Sequence, residues 1–594
     1  MKNFNRSDYC GNFNAKNLGE MVTVYGWVQK KRELGKLAFI DLRDRTGIIQ
    51  LALDDTADEK IFNIIRETRP EDVIEAKGII RERTAKNKNI PTGDIEIEIK
   101  NVKILSKAQT PPFEIMKSSE VNEETRLKYR YLELRNPSVQ EKIFIRHKIS
   151  QIARNYFYDK GFIEIETPIL IKSTPEGARD YLVPSRIFKG KFFALPQSPQ
   201  LYKQLSMVAG FDRYIQIARC FRDEDLRADR QPEFTQIDLE ASFVDADDIM
   251  ALAEGFIKKV YKDILGIELE TPFKKISYLE AMDRYGSDKP DLRFGLELVD
   301  IGNIVCDCEF KVFSGAIKQG GSVRGINAKG LAGVLTRREI DGFTEEVKGC
   351  GAKGLAFVKI NEDGSSSSTY EKFLTDKENE EIRKKMNAES GDVIFIIADE
   401  DETLVKEVLG ILRCSLAEKF GLVNEAYTKD GKIKPNILWV VDFPLFEYDK
   451  EEKRYIAKHH PFTSPMDEDV EKMESCTYEV RAKAYDLVIN GNEIGGGSIR
   501  INNPKIQDKM FKILGFSEEE ITNRFGFLLE AFKYGVPPHG GMAFGFDRLV
   551  MLLVGAKSIR EVIAFPKVAS SAELMTDSPG EIDEKQLSEL GIKK

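Results

Sequence analysis

The sequence predicts an α+β protein of several domains, and three observations lead to that class. With 594 residues, the chain is several times longer than a typical domain of ~150 residues. Residues 20 to 105 read as short alternating strands, whereas the later sequence mixes apolar strands with helical segments. Residues 295 to 422 differ again in texture, with short strands, helices and a serine-rich loop, which indicates an inserted α+β domain.

The strand order of the N-terminal region indicates a small barrel. The strand candidates are MVTVYGWV, LAFIDLRD, GIIQLALD, EDVIEAKGIIRER and GDIEIEIKNVKIL, with the helical segment DEKIFNIIRE between the third and the fourth. This order describes an OB-type barrel, a fold that commonly binds single-stranded nucleic acid. The two prolines of the following SKAQTPPFE indicate a linker.

Composition narrows the class of protein. The net charge of −9 argues against general coating of nucleic acid, although QKKREL, Gln29 to Leu34, is a local basic run whose alternative reading is a solvated loop. No run approaches the ~18 apolar residues of a membrane span, and the first ten residues have no signal-peptide core. Seven scattered cysteines favour a reducing cytosol over a disulfide framework. We therefore expect a cytoplasmic protein without membrane association.

The charged stretch CFRDEDLRADRQPEFTQID, from Cys220 to Asp238, lies between apolar strand-like segments. Because side chains alternate across a strand, it predicts an antiparallel hairpin with one polar face and a charged loop, Asp225 to Pro232. Phe234, Gln236, Asp238 and Glu240 share one face of EFTQIDLEA, and the hairpin would present the first three together with Arg222 and Glu224. Such a face suits a ligand pocket; a surface hairpin with internal salt bridges is the alternative.

These residues resemble motif 2 of the class II aminoacyl-tRNA synthetases, in the aspartyl form. GFIEIETPIL, with Pro168, resembles motif 1, and GMAFGFDRLVMLL, with Arg548, resembles motif 3. TPEGARDYLVPSR, QSPQLYKQL, HHPFTSP and GGGSIR are similar to segments of the bacterial aspartyl-tRNA synthetase family. The resemblance covers essentially the whole chain, including the barrel and the insertion.

The resemblance implies a two-step reaction on ATP, L-aspartate and tRNA-Asp, with Mg²⁺ as cofactor. The α-carboxylate of aspartate attacks the α-phosphate of ATP, and the terminal adenosine of the tRNA then takes the aspartyl group. Chemistry of this kind depends on positioning and charge stabilisation and needs no covalent enzyme nucleophile. The sequence accordingly has no convincing Ser/His/Asp or Cys/His signature.

By the same resemblance, Arg222 holds the α-phosphate, Arg548 the γ-phosphate, and Glu224 completes the catalytic set. A planar guanidinium can bind a transition state whose negative charge is distributed over several oxygens. The implied ATP-binding residues are Arg222, Asp223, Glu224, Gln231, Phe234, Glu493, Gly545, Phe546, Asp547 and Arg548. Phe234 is expected to stack under the adenine, and Asp486 and Glu493 match the carboxylates that hold Mg²⁺.

Lys203 and Arg500 match the pair that receives the side-chain carboxylate of aspartate. Two cations there would reject asparagine, whose amide would place donors against donors. The implied aspartate-binding residues are Glu176, Ser198, Gln200, Lys203, Arg222, Gln236, Asp238, His459 and Arg500. Glu176 lies on a segment, Lys172 to Ala178, that resembles a closing loop. His459 and His460 as metal ligands are a rival reading, and His147 and His539 have no assigned role.

Glu493 and Arg500 are seven residues apart, so a regular strand would turn them to opposite faces. Since the resemblance places both in the pocket, we predict a bulge or break at Gly495 to Gly497.

In the barrel, Arg32, Phe39, Gln50 and Glu96 match anticodon-reading positions, and for each the alternative is a barrel residue without a partner. Leu34 resembles the tRNA-Asp-specific form, whereas relaxed bacterial members often carry His there. Lys36 departs from the small residue common at its position. The principal alternative function is therefore a non-discriminating enzyme that also aspartylates tRNA-Asn.

The predicted organisation follows from these assignments. The expected parts are 1–107, an OB-fold anticodon-binding domain; 108–130, a hinge; 131–294, the first catalytic part, with motifs 1 and 2; 295–422, the inserted bacterial-type domain; 423–565, the second catalytic part, with motif 3; and 566–594, a C-terminal extension. Motif 1 implies a homodimer. A non-enzymatic paralogue would be expected to lack Arg222, Arg548 or the metal carboxylates, and an asparaginyl or lysyl relative would have a shorter chain or another pocket.

Overall fold

The structure is a computed structural model that describes residues 4–35, 37–174 and 178–593. It folds into two compact units. One comprises residues 1–147 with 225–231 and 554–583, and the other comprises 148–224 and 232–553 with 584–594. Within the described ranges, no helix combines the length and the apolar character needed to cross a bilayer.

The N-terminal barrel forms as the strand pattern predicts. Its strands β1–β5 are Met21–Leu34, Leu37–Asp44, Gly47–Leu53, Val73–Glu82 and Ile95–Ser106, and helix α1 is Glu59–Glu67. The barrel is closed in the order β1-β2-β3-β5-β4, with β3 and β5 parallel. Alternate side chains such as Val24, Ile40 and Leu51 are fully buried and form its core. The predicted OB-type topology, with its helix between the third and fourth strands, is confirmed.

Three helices follow the barrel: α2 is Glu123–Lys128, α3 is Arg130–Glu133 and α4 is Pro137–Asp159. Arg130 is buried and donates to the carbonyl oxygens of Ala564 and Ile563 at 3.0 and 2.9 Å, while Glu133 balances its charge at 2.6 Å. This arginine therefore fixes the segment near residue 564 within the first unit. Helix α4 ends before Gly161, whose φ of +79° is the left-handed conformation that glycine favours after a helix.

The second unit begins with short strands that lead into a long hairpin. Strands β6–β11 are Ile163–Glu164, Leu182–Pro184, Phe192–Ala194, Arg213–Phe221, Glu233–Ser242 and Lys274–Ser277. Helices α5–α7 are Gln200–Val208, Ala246–Leu265 and Tyr278–Tyr285. Within the apolar runs GFIEIETPIL and KFFALP, the strands cover only two and three residues. Strand β6 lies at the edge of the main sheet, and β7 and β8 pair separately.

A separate sheet occupies the region predicted to be inserted. Strands β12–β16 are Val299–Asp300, Ser322–Ala328, Ala356–Ile360, Ser366–Ser368 and Val393–Asp399. Helices α8–α12 are Gly302–Val305, Lys311–Lys318, Arg337–Gly349, Asp376–Lys385 and Glu402–Phe420. The sheet order is β12-β13-β16-β14-β15. Ile394 and Phe395, neighbours on β16, belong to two different cores, so both faces of this sheet are covered. The boundaries at 295 and 422 stay predictions.

The remaining strands complete the main sheet. Strands β17–β24 are Ala426–Tyr427, Ile433–Lys434, Ile437–Val441, Phe446–Asp449, Arg454–Ala457, Ala484–Ile489, Asn492–Ile499 and His539–Gly545. Helices α13–α16 are Pro504–Ile513, Glu518–Phe532, Phe546–Leu553 and Glu584–Leu590. The eight-stranded order is β11-β19-β22-β23-β24-β10-β9-β6, antiparallel except at its first and last pairs. The segment AYDLVINGNEIGGGSIRI folds as the hairpin β22–β23.

Candidate functional site

The centre of the main sheet presents a face with almost no side-chain bulk. In register, Asp238 on β10 lies opposite Ala543 on β24, which lies opposite Gly496 on β23. Gly496 in turn lies opposite Asp486 on β22. Because residues directly opposite one another share a face, two carboxylates flank a floor of small residues.

Gly541 is required in this floor, because a Cβ atom there would lie 2.1 Å from the Leu239 carbonyl oxygen, and at Gly496 a Cβ atom would displace a carboxylate. A Cβ atom at Gly496 would lie 2.2 Å from Oδ1 of Asp486, and one at Gly541 would lie 2.2 Å from Oε2 of Glu240. These carboxylates therefore extend over the main chain of the neighbouring strand, into space that any larger residue would fill.

The predicted hairpin is strands β9 and β10, and its register places Phe234, Gln236 and Asp238 on one face, whereas Arg222 and Glu224 lie beyond the end of β9. Phe234 lies opposite Cys220, and Asp238 lies opposite Gln216. The Arg222 guanidinium carbon lies 5.1 Å from the centroid of the Phe234 ring. Its Nε is buried without a hydrogen-bond partner in the described part of the chain. An arginine in this state is suited to receive an anion.

The other predicted residues of motif 2 have different surroundings. Asp223 faces Arg179 at 3.4 Å, and Glu224 is half-buried. The buried amide of Gln231 donates to the Lys567 carbonyl at 3.0 Å and accepts from the Lys567 N–H at 2.8 Å. The backbone of Lys567 thus uses both ends of that amide, and an ATP contact by Gln231 stays a prediction.

The motif 3 residues lie where β24 passes into α15. Gly545 ends the strand, and Phe546 is buried. The buried Asp547 accepts a hydrogen bond from the Thr235 N–H at 2.8 Å and so ties α15 to β10. Arg548 Nη1 donates to the Glu493 carbonyl at 3.2 Å and lies 3.9 Å from its carboxylate.

A bulge interrupts the pairing of β22 and β23. Leu487 lies opposite Gly495 and Val488 opposite Glu493, which leaves Ile494 as the extra residue. The predicted bulge is confirmed, one residue before the predicted range. It turns Glu493 to the face that Arg500 also occupies.

The carboxylates of Asp486 and Glu493 consequently share one face of the sheet. Burial raises the pKa of Asp486 well above its ordinary value, and the neighbouring carboxylates of Glu493 and Asp288 raise it further. A bound cation would relieve this repulsion. The described residues contain no group of three or more His, Cys, Asp or Glu side chains that are placed to hold a metal ion together. Two carboxylates alone fit Mg²⁺, which takes its other oxygens from water and phosphate.

Four charged side chains form a buried cluster at the end of this face. Lys203, from α5, lies 2.6 Å from Asp238 and 3.1 Å from Glu240. Arg500 contacts both oxygens of Glu240, at 2.9 and 3.2 Å, and its Nη1 donates to Ser498 at 2.7 Å. The four are at most 6% exposed. The sequence prediction has Lys203 and Arg500 receive one carboxylate, that of the substrate. In the structure the two cations already contact carboxylates of the protein, those of Asp238 and Glu240.

The two carboxylates of the cluster differ in acidity. Burial raises the pKa of Asp238 to about 6, against the opposing effect of Lys203. Burial would also raise the pKa of Glu240, but Arg500 and Lys203 outweigh it and lower the value to about 2. Oδ2 of Asp238 is buried without a hydrogen-bond partner in the described ranges, so it can accept from an ammonium.

The remaining predicted aspartate-binding residues lie around this cluster or outside the described residues. Gln200 begins α5 and is buried, and its N–H donates to Ser198 Oγ at 3.4 Å. Gln236 accepts from the Cys220 thiol at 3.3 Å. The His459 ring packs edge-on against a phenylalanine. Burial lowers the pKa of this ring, and the positive charges of Lys458 and Arg500 lower it further. Glu176 lies outside the described residues.

Two members of the site had no function assigned from the sequence. Strand alternation places Glu240 on the face of Phe234, Gln236 and Asp238, but nothing in the sequence indicates its pairing with Lys203 and Arg500. His539 is fully buried and its carbonyl accepts from the Arg500 N–H at 2.9 Å. No local signal in the sequence indicates that contact.

The four predicted anticodon residues lie together on the barrel. Arg32 lies opposite Phe39, and Gln50 lies opposite Glu96. Arg32 Nη2 donates to Gln50 Oε1 at 3.0 Å, Gln50 Nε2 donates to Glu96 at 2.7 Å, and the Arg32 guanidinium carbon is 5.9 Å from the Phe39 ring. The chain thus places an aromatic ring beside donors and acceptors, as single-strand readers do.

Two arginines that sequence reasoning missed extend this cluster. Arg81 donates to Glu96 at 2.9 Å, and the buried Arg83 donates to Gln50 at 2.7 Å. Leu34, at the end of β1, is 66% exposed, as suits contact with a partner. Lys36 lies outside the described residues.

Comparison with known families defines the class of the protein. A model described as tRNA synthetases class II (D, K and N) matches residues 122–569, well over half of the chain. A second model, OB-fold nucleic acid binding domain, matches residues 22–105. The catalytic region is therefore that of a class II aminoacyl-tRNA synthetase.

Curated relatives narrow the class. The aspartate--tRNA(Asp/Asn) ligase of Caldanaerobacter subterraneus subsp. tengcongensis is 55% identical over 590 residues, covering 99% of this chain and 98% of that protein. The aspartate--tRNA ligase of Ruminiclostridium cellulolyticum is 55% identical over 589 residues, with the same coverage. The chain belongs to the aspartate--tRNA ligase family.

Solved structures share the fold at low identity. Asparaginyl-tRNA synthetase from Pyrococcus horikoshii, complexed with asparaginyl-adenylate, superposes with a TM-score of 0.58 at 18% identity, covering 94% of this chain and 97% of that one. Aspartyl-tRNA synthetase from Entamoeba histolytica gives a TM-score of 0.55 at 18% identity, covering 93% and 89%.

Proposed function

We propose that this enzyme joins L-aspartate to tRNA-Asp through an aspartyl-adenylate and discriminates against tRNA-Asn. The buried cluster of Lys203, Arg500, Asp238 and Glu240 carries the choice of amino acid. It offers donors to a carboxylate and, at Asp238, an acceptor to an ammonium, which are the groups of aspartate.

The adenylation step relies on position and charge. Arg222 lies against Phe234, so adenine stacked on that ring would bring the α-phosphate near the guanidinium. Arg548, anchored on the Glu493 carbonyl, suits the terminal phosphates. Asp486 and Glu493 would hold Mg²⁺, which when bound neutralises charge on the phosphates. Aspartate held over the glycine floor then has its α-carboxylate directed at phosphorus.

Discrimination against asparagine follows from the donors around the pocket. The amide of asparagine would place an NH₂ group against the donors of Lys203 and Arg500, whereas the side-chain carboxylate of aspartate would accept from both. A pocket built to hydrogen-bond one group rejects an analogue that leaves its donors unpaired. Two protein carboxylates already balance these cations, so the surplus donors of Arg500 and Lys203 are what a substrate carboxylate would use.

The barrel cluster is proposed to read the anticodon. A base stacked on Phe39 would contribute ~1–3 kcal/mol. The Gln50 amide, once released from Arg32 and Glu96, can both donate and accept, and Glu96 can then accept from a cytosine amine. Their mutual hydrogen bonds, at 3.0 and 2.7 Å, hold them in place before RNA binds.

Exchange and charging assays test the proposal. We expect aspartate-dependent, but not asparagine-dependent, exchange of pyrophosphate into ATP, followed by charging of a tRNA-Asp transcript. Absence of aspartate-dependent exchange would refute the central proposal. Separate assays with tRNA-Asn decide the finer question.

Leu34 supports tRNA-Asp specificity, because relaxed family members often carry His at that position. Leu34→His should raise charging of tRNA-Asn while leaving pyrophosphate exchange unchanged, since Leu34 lies at the exposed tip of β1. The second candidate is the non-discriminating enzyme, favoured by the Asp/Asn names of several relatives. Efficient charging of tRNA-Asn by the unmodified enzyme would establish that candidate.

A homodimer is proposed on the basis of an exposed apolar surface around β6–β8. Its large exposed side chains are Ile163, Ile169, Leu170, Leu182, Ile187, Phe188 and Phe192. A patch of this kind marks an interaction surface. Light scattering should give twice the mass of one chain, and Phe188→Glu should weaken the assembly; a monomer at micromolar concentration would refute it. The seven free cysteines are consistent with the cytoplasm proposed as its location.

A further inference from the structure

The N-terminal segment holds two arginines against one tyrosine. The guanidinium carbon of Arg6 lies 4.4 Å from the centroid of the Tyr9 ring, and that of Arg45 lies 4.5 Å from the same centroid. The separation of the two cations cannot exceed the sum of these distances. Cation–π contact offsets part of their mutual repulsion.

No carboxylate of the described residues lies within ion-pair distance of this pair. Neither guanidinium forms an ion pair with a carboxylate in residues 4–35, 37–174 or 178–593. Asp8 and Asp44 are the nearest acids in the sequence. Oδ1 of Asp8 accepts from the Tyr9 N–H at 2.6 Å and from the Asn12 amide at 2.8 Å, and the Asp44 carboxylate accepts from the Cys10 N–H at 2.7 Å and from the Thr46 N–H at 2.8 Å. Two neighbouring cations without a carboxylate suit an anionic partner.

The pair is also fixed in place. The Cys10 N–H donates to Asp44 at 2.7 Å, and the Gly11 N–H donates to Thr46 at 2.9 Å, so the segment is fastened to the turn that carries Arg45. A Cβ atom at Gly11 would lie 2.3 Å from the Thr46 carbonyl oxygen, which shows how closely the two backbones approach. The arginines are therefore preorganised.

Arg45 lies just beyond the end of β2, the strand that carries Phe39, on which an anticodon base is proposed to stack. Arg45 directly follows β2, six residues after Phe39, which corresponds to roughly 20 Å of strand. That distance is too long for contact with a base on Phe39 and suits the backbone of the same RNA several nucleotides away.

We propose that Arg6 and Arg45, supported by Tyr9, form a phosphate-binding patch for the backbone of bound tRNA, outside the anticodon bases. The inference rests on the proposed function, since it takes the tRNA as the ligand. Phosphate contacts fix position and carry no base sequence, so the patch contributes equally to any tRNA seated on the barrel.

A salt series tests the patch. Binding of a tRNA-Asp transcript is measured by fluorescence anisotropy for the wild type and for R6Q/R45Q. We expect affinity to fall roughly tenfold at moderate salt, and the slope of log K against log salt to flatten by roughly 0.7–0.9 for each arginine. A tRNA with an altered anticodon should lose the same factor.

Matched variants separate charge from structure. Arg66 also lies over a barrel aromatic, Phe62, at 5.8 Å, so R66Q should keep the wild-type slope. R6K/R45K keeps the charge and should keep most of the slope. Pyrophosphate exchange should be unchanged in all variants. If R6Q/R45Q has a clearly lower melting temperature than the wild type, the salt dependence of tRNA binding is measured on the single variant R45Q, because Arg45 is exposed.

An unchanged slope in R6Q/R45Q, or in R45Q, would overturn the inference and leave the proposed function intact. A loss in R6K/R45K equal to that in R6Q/R45Q would also overturn it, because the stacking rather than the charge would then matter. A wild type that binds no tRNA would overturn both.

Discussion

Replacing Arg222 by alanine should lower aspartate-dependent pyrophosphate exchange by about 10³-fold or more. Removal of one donor from a site of developing charge costs about 10²–10³ in rate, and removal of an arginine at a transferring phosphate costs 10³–10⁵. The Nε of Arg222 has no partner within the described ranges, so alanine leaves no buried carboxylate unpaired and the fold should persist. The measurement is initial-rate exchange with saturating ATP and aspartate.

Arg219→Ala is the matched control for Arg222. Arg219 lies on β9, three residues before Arg222, and faces the other side of the sheet, where it pairs with Glu233 and donates to Thr235 at 3.2 Å. Its exchange rate should stay within a few fold of the wild type, and both variants should bind tRNA normally. If Arg222→Ala exchanges within tenfold of the wild type, the hairpin face is structural and the ATP assignment fails.

Replacing Arg500 by leucine should remove both aspartate recognition and part of the stability. Removal of one partner from a buried ion pair costs about 3–5 kcal/mol of unfolding free energy. Loss of a similar amount from substrate binding corresponds to about 10²–10⁴ in kcat/KM for aspartate. The KM for ATP should change little. Chemical unfolding and steady-state exchange give the two quantities.

A double variant separates these two effects. In Arg500→Leu/Glu240→Leu both members of the pair become apolar, which is often neutral for stability. The pair of Lys203 and Asp238 remains. Stability should therefore largely return, whereas kcat/KM for aspartate should stay low. Recovery of aspartate activity in the double variant would show that Arg500 only supports the fold.

Acid titration provides an independent readout of the same pair. Glu240 has a pKa of about 2, below the ordinary value of about 4.3 for a glutamate. Its contribution to stability is thus present above about pH 4 and is lost as the pH falls toward 2. Without Arg500 that pKa should rise, so acid unfolding should begin at a higher pH. Circular dichroism along the titration measures the shift.

Sequence periodicity predicted the features that depend only on residues close together in the chain. Strand alternation located the barrel and the shared face of Phe234, Gln236 and Asp238. Because Glu493 and Arg500 are an odd number of residues apart, placing both on one face required a bulge, and one is present. Family resemblance then supplied roles that periodicity cannot provide.

What the sequence could not show depends on contacts between distant segments. Lys203 and Glu240 come from separate elements, and only packing of α5 on the sheet brings them to 3.1 Å. Gln231 is fastened to Lys567, 336 positions away along the chain. Arg83 becomes a buried neighbour of Gln50 only when the barrel closes. No local period encodes such pairings.

The glycine floor has a consequence for the entropy of binding. A surface made by the main chain at Gly496, Gly541 and Ala543 has no rotamers to immobilise when a ligand settles on it. Immobilising a flexible side chain costs about 0.5–1.5 kcal/mol. The main-chain surface avoids this loss of side-chain entropy. The sheet can therefore bind a small, highly charged molecule on a surface whose shape is already fixed in the free protein.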